Sequence, residues 1–162
     1  MIVPDTGKGR KNMYKHILLP TDGSELSNKA VKQAIELAKA IGAKITALHV
    51  MPNYERYVNE RYNVSAAMAE PVKTKYTEDA AALSKEILDL VCATGTAAGV
   101  ECARASVTGD SPYEAIIEQA TKSGCDLIMM SSHGRRGLQG ILLGSETQKV
   151  LTHSKTPVLV CR

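Results

Sequence analysis

The sequence predicts a doubly wound α/β domain, a five-stranded parallel sheet with helices on both faces. Three observations carry this prediction. Short apolar runs at His16 to Pro20, Lys44 to Val50, Asp126 to Met130 and Pro157 to Cys161 suit strands covered on both faces. Stretches of helical period separate them, and strands joined through helices run parallel with right-handed crossovers. The chain has 162 residues with no Trp and no Phe, enough for one core of Ile, Leu, Val, Ala and Met.

Met1 to Asn12 is polar and without period, and reads as a mobile leader. The single domain is placed at Met13 to Arg162. His16-Ile17-Leu18-Leu19-Pro20 is the first strand, and Thr21-Asp22-Gly23-Ser24 the turn after it, with Ser24 as N-cap. Leu26, Ala30, Val31, Ala34, Ile35, Leu37, Ala38 and Ile41 then recur at three- and four-residue steps, giving an amphipathic helix that stops at Gly42. Lys44 to Val50 is the second strand. Residues 51–65 form the least regular connection. The next helix is best defined where Ala80, Leu83, Ser84, Ile87, Leu88 and Val91 line one face, with Gly95 and Gly99 marking its exit.

Val100 to Val107 is the third strand, more polar and so nearer an edge. Ser111-Pro112-Tyr113-Glu114 sets a cap, a proline at the first helical position and a capping-box Glu in register, and that helix stops at Gly124. Asp126 to Met130 is the fourth strand, Glu146 to His153 the fourth helix and Pro157 to Cys161 the fifth strand.

Bulk properties narrow the function. Hydrophobic residues make up 44% and charged residues 23%, and the net charge of +3 does not argue for nucleic acid or an anionic membrane. No apolar run approaches the ~18 residues of a membrane span, and no signal-peptide core is present, so a cytoplasmic location is expected. The four cysteines (Cys92, Cys102, Cys125, Cys161) show no C-x-x-C pair and no zinc spacing. All four are expected to be reduced structural thiols.

The chemistry is concentrated after the fourth strand. Ser131-Ser132-His133-Gly134-Arg135-Arg136-Gly137, closed by Gly144-Ser145, lies between a strand and a helix. Glycines let backbone N–H groups turn toward an anion, and the following helix adds orphan N–H groups and the positive end of its dipole. A phosphate-bearing ligand, a nucleotide, is the reading. In such sheets the ligand lies beyond the carboxyl ends of the strands, which adds the Pro20-Thr21-Asp22-Gly23 loop.

These two loops make the chain similar to the universal stress protein family, whose nucleotide-binding members show G-x-x-G-x9-G-[S/T] after the fourth strand. Here Ser131-Ser132-His133-Gly134 is followed after nine residues by Gly144-Ser145, with serine at the first glycine position. The Pro20-Thr21-Asp22 turn and the His49-Val50 strand end also match, and the similarity spans Met13 to Arg162. The resemblance implies strand order 3-2-1-4-5 and an adenine nucleotide, ATP or else AMP or ADP, with any Mg²⁺ held mainly by the phosphates. It places Pro20, Thr21, Asp22 and Val50 beside adenine and ribose, and Met130 and Ser131 beneath them. Gly134, Gly144, Ser145, Glu146 and Thr147 would hold the phosphates through N–H and hydroxyl groups. It also implies a homodimer, for which the apolar terminal strand offers an edge. At Ser131 the serine strains the loop if the position needs φ > 0; otherwise it only takes space.

Plainer readings stand beside these. Gly134, Gly137 and Gly140 suit any surface loop, Asp22 an ordinary turn, and Ser145 with Gln148 an ordinary capping box. Of Arg135 and Arg136, at most one would meet phosphates. His133 reads as a solvated loop residue, and His16, His49 and His153 have no ligand spacing. No G-x-S-x-G, Walker A or H-E-x-x-H pattern appears, so binding is better supported than turnover. The expectation is an ATP-binding stress-response module. Slow ATP hydrolysis or phosphoryl transfer, and a dimeric interaction module with an empty pocket, are the alternatives. Nucleic-acid binding is disfavoured because no basic stripe interleaves with aromatics.

Overall fold

A computed structural model describes residues 13–54, 70–133 and 143–162. The expected leader, Gly134, the arginine pair and Gly137 and Gly140 lie outside the described residues.

The order of elements is β1 (His16–Pro20), α1 (Glu25–Ile41), β2 (Lys44–Met51), α2 (Glu70–Ala97), β3 (Cys102–Thr108), α3 (Pro112–Lys122), β4 (Leu127–Ser131), α4 (Ser145–His153) and β5 (Val158–Cys161). The sheet is parallel throughout, in the order β3-β2-β1-β4-β5. α1 begins at Ser24, whose side chain accepts from Ser27 N–H, and ends at Gly42 with φ 67°, a backbone that glycine adopts without Cβ strain.

Strand residues alternate between two cores. Ile17, Leu19, Ile45 and Ala47 meet Val31, Ala34, Ile35 and Ala38 of α1 and Leu88, Val91 and Cys92 of α2. Leu18, Leu48, Ile128 and Met130 meet Ile116 and Ala120 of α3 and Val150 of α4. The central strands are thus covered on both faces, which is why they carry no polar alternation. β3 lies at an edge and is mostly exposed, in keeping with its more polar sequence.

Four expectations need correction. Leu83 is 43% exposed, and the buried stripe of α2 is Ser84, Leu88, Val91 and Cys92, with Gly95 inside the helix rather than at its exit. A Cβ on Gly95 would lie 3.5 Å from Cys102 Cβ, so this glycine marks where α2 and β3 draw close. Leu26 likewise faces solvent, at the solvent edge of the α1 stripe. Finally, Cys92 and Cys102 are not reduced thiols but a disulfide. The chain turns from α2 straight into β3, setting their Cα atoms 5.2 Å apart, within the span that a disulfide bridges. Reasoning from compartment and motif could not see that proximity. Cys125 and Cys161 are free, and burial pushes the Cys125 thiol up to about 11.

Candidate functional site

β1 and β4 are neighbours, yet the chain leaves β1 toward β2 on one side and leaves β4 toward β5 on the other. Their outgoing loops therefore separate at the carboxyl edge, where an open α/β sheet receives its ligand. The structure brings Pro20, Thr21 and Asp22 to one side of that gap, and Met130, Ser131, Gly144, Ser145, Glu146 and Thr147 to the other.

On the β1 side the turn is tied down by its own side chains. Thr21 N–H donates to Leu48 O at 2.8 Å, and the buried Thr21 hydroxyl bonds the Ser27 hydroxyl. Asp22 Oδ1 accepts from Ser24 N–H at 3.0 Å, closing a side-chain turn. Thr21 is thus a structural residue by its side chain, and one Asp22 carboxylate oxygen serves the loop itself. Val50 is half-buried against the α3 core, and Met130 is a buried member of it.

On the β4 side, Ser131 is the last residue of the strand, paired with Cys161, so its backbone is extended and serine carries no φ strain. Its hydroxyl donates to His133 O at 2.6 Å. Ser132 N–H continues the ladder to Cys161 O at 2.7 Å, and Gly144 N–H returns to Ser132 O at 2.8 Å. Gly144 has φ −67° and ψ 152°, ordinary extended values. Its requirement is room, since a Cβ would lie 3.2 Å from Ser132 O and 3.4 Å from His133 Cα. His133 is half-buried rather than solvated; Nδ1 lies 3.2 Å from Ser132 Oγ, and Nε2 is buried with no partner among the described residues.

The helix that follows corrects one assignment. Gly144, not Ser145, holds the N-cap position of α4, and among the described residues no side chain caps the first turn. The Thr147 hydroxyl, 3% exposed at residue level, donates to Ser131 O at 3.1 Å and so anchors α4 on β4. The N–H groups of Ser145, Glu146 and Thr147 have no intrahelical acceptor, because the helical ladder starts with Gln148 N–H on Gly144 O at 3.0 Å.

A third loop, not singled out from the sequence, joins this edge. Gly109 N–H donates to Met51 O at 3.0 Å, and a Cβ on Gly109 would lie 3.9 Å from Val50 Cγ1. Asn53 Nδ2 donates to Asp110 Oδ2 at 2.7 Å. At the head of α3, Ser111 makes no side-chain cap bond and Glu114 accepts from the Tyr113 hydroxyl at 2.8 Å, which holds that phenol's proton more tightly than usual. The Tyr113 N–H is taken instead by Glu146 Oε2 of α4, at 2.9 Å. Pro112 at the first helical position was the available signal, since it leaves Tyr113 as the first N–H needing an acceptor. Among the described residues no group of three or more His, Cys, Asp or Glu is placed to hold a metal ion.

Comparison with known proteins gives this geometry relatives. A model of the universal stress protein family matches residues 13–162. Universal stress protein MJ0531 of Methanocaldococcus jannaschii is 33% identical over 155 residues, 94% of this chain and 84% of that one. MJ0577 of the same organism is 32% identical over 164 residues, 93% of this chain and 96% of its own. A solved structure of MJ0577 superposes with a TM-score of 0.71 at 34% identity, covering 91% of this chain and 95% of that one. A universal stress protein crystallised in complex with cAMP superposes with a TM-score of 0.63 at 26% identity, covering 92% and 97%.

Proposed function

The chain belongs to the universal stress protein family, and from that premise we propose that it is a nucleotide-dependent regulatory module that binds an adenine nucleotide between the β1 and β4 loops. One observation carries the reading. The first turn of α4 lies at the switch point with three N–H groups lacking intrahelical acceptors and, among the described residues, no side-chain cap, while its frame is fixed to β4 by Thr147 and Gly144. The phosphates fall there, met by the N–H groups of Ser145, Glu146 and Thr147 and by the Ser145 hydroxyl. Pro20, Asp22 and Val50 border the nucleoside, with Gly134 expected to complete the phosphate loop. The cAMP complex of a relative 26% identical supports the adenine preference.

A micromolar complex needs about −8.2 kcal/mol, whereas the helix dipole gives about 0.3–2 kcal/mol. Several N–H bonds and burial of the purine must supply the remainder. ATP, rather than AMP or ADP, uses the most N–H groups. Mg²⁺ would ride mainly on the phosphates. No described residue is placed as an attacking group, so the reading is binding and stress signalling in the cytoplasm, with hydrolysis slow if present.

The same reading includes a homodimer through β5. That strand is a sheet edge, and Leu159 on it is 42% exposed. Among the described residues no helix is long and apolar enough to cross a membrane.

The test is direct. Freshly purified protein is denatured and the released small molecules are identified by mass spectrometry, followed by calorimetry with ATP, AMP and cAMP. Adenine nucleotide in the supernatant and a saturable heat with ATP are expected. No released nucleotide, together with no heat at millimolar ATP, overturns the reading. Sedimentation showing only monomer removes the dimer but leaves the site.

A further inference from the structure

Glu146 stands in the first turn of α4, where a carboxylate next to bound phosphates is electrostatically unwelcome. The structure gives it other work. Oε2 accepts from the Tyr113 N–H at 2.9 Å, and Oε1 accepts from Lys149 Nζ at 2.9 Å. The Lys149 ammonium in turn lies 5.2 Å from the centroid of the Tyr113 ring, which packs against His153 at 5.6 Å. Glu146 therefore acts as the missing cap of α3, supplied by the neighbouring helix, because Ser111 makes no cap bond. Its charge is drawn toward the positive end of α3 and countered by Lys149, away from the N–H groups of its own helix.

We propose that the Glu146 side chain is a positioning group, not a phosphate or metal ligand. It clasps the N-terminus of α3 to that of α4 and so fixes the α4 first turn in the orientation that receives phosphate. This rests on the nucleotide reading above. α4 is then held from two directions: Thr147 ties it to Ser131 of β4, and Glu146 ties it to α3. The clasp also links the phosphate end of the site to the loop after β3, where Gly109 N–H donates to Met51 O, next to Val50.

Two variants separate the possibilities. Glu146→Gln and Glu146→Ala both abolish the charge and the Lys149 pair, but only Gln keeps an oxygen for Tyr113 N–H. ATP affinity is measured by calorimetry with and without Mg²⁺, alongside adenosine. Amide exchange at Tyr113 is followed by NMR on protein without nucleotide. Gln is expected to bind ATP at least as tightly as wild type, and Ala about two- to thirtyfold more weakly than Gln, the range for losing a helix cap. The preference for ATP over adenosine falls by the same factor in Ala. Tyr113 N–H stays protected in Gln and loses protection in Ala.

Equal ATP affinities and equal Tyr113 protection in the two variants overturn the clasp. Equal losses in both variants, seen only with Mg²⁺, overturn it in favour of a metal ligand. Wild type that takes no adenine nucleotide, while Tyr113 exchange still separates Gln from Ala, overturns the nucleotide reading and supports the clasp itself.

Discussion

α1 and α4 begin at the carboxyl edge of the sheet, one on each side of the β1–β4 gap, and their N-termini are built in opposite ways. α1 closes on itself. Ser24 Oγ accepts from Ser27 N–H at 3.3 Å, Asp22 accepts from Ser24 N–H, and Glu25 lies beside Lys29 at 3.5 Å. α4 has glycine at the cap position, and its first-turn carboxylate is turned to another helix. Both termini carry the same partial positive charge, so the dipole alone does not choose between them. The difference is that the Ser27 N–H of α1 is already taken by the side chain of its own cap residue, whereas the cap residue of α4 is a glycine with no side chain to offer. An anion site needs a terminus whose frame is held by groups other than its own cap, and α4 meets that condition through Thr147 and Glu146.

The strongest way to break the contrast is to give α4 the kind of cap α1 has. Gly144→Asp supplies a capping carboxylate and puts a negative charge where phosphate would lie. ATP binding is expected to weaken by about 100-fold or more, roughly 2.8 kcal/mol at 1.4 kcal/mol per decade. The new cap gains only about a few tenths of a kcal/mol over glycine, and circular dichroism checks that the variant compared is folded. Calorimetry checks the affinity. A folded Asp variant that binds ATP like wild type would show that phosphate does not sit at α4.

The converse change is smaller and concerns stability. Ser24→Ala removes the α1 cap, and unfolding in urea should show a loss of about 1 kcal/mol. ATP affinity should stay within about twofold, because the Ser24 side chain serves the Ser27 N–H and, among the described residues, touches no group of the α4 terminus. A tenfold loss of affinity would mean that the α1 terminus shares the ligand, and the contrast would fail.

How much of this was legible beforehand follows from the same contrast. Ser24 as cap and Gly42 as stop are local facts, each written within four residues of the backbone group it pairs with, and both hold. The sheet and its faces were legible because burial on both sides demands continuous apolar strands. At α3 and α4 the pattern misled. Ser111 and Ser145 match the cap signature, yet Tyr113 N–H goes to Glu146, 33 residues away, and Gly144 takes the α4 cap position. Glu146 looked like a phosphate neighbour because its partner is set by how two helices pack. The Cys92–Cys102 bridge and the inward Gly95 were hidden for the same reason, since each depends on how closely α2 returns to β3. The gap itself was legible, because strand order follows from the resemblance and ligand position from strand order.

The smallest expected effect tests whether the two ends of the sheet act independently. His16 starts β1 at the opposite edge, about 13 Å from Pro20 at the rise of a strand. It is buried, with Nε2 2.8 Å from Thr46 Oγ1. Burial holds its pKa below the ordinary 6.5, and the Lys44 charge pushes the same way, against Asp126, Glu101 and the Ser123 backbone. Because the folded state disfavours the proton, the unfolded chain binds more of it as pH falls through 6.5. Stability from neutral His16 is therefore complete above that pH and erodes below it. Urea unfolding at pH 7.5 and 5.5 should show wild type and Ser24→Ala losing the same amount, with the Ser24 penalty unchanged between them. His16→Gln should flatten that slope. A Ser24 penalty that grows or shrinks with pH would mean that the amino edge and the α1 cap are coupled, and the closed terminus would no longer be a local property of its own turn.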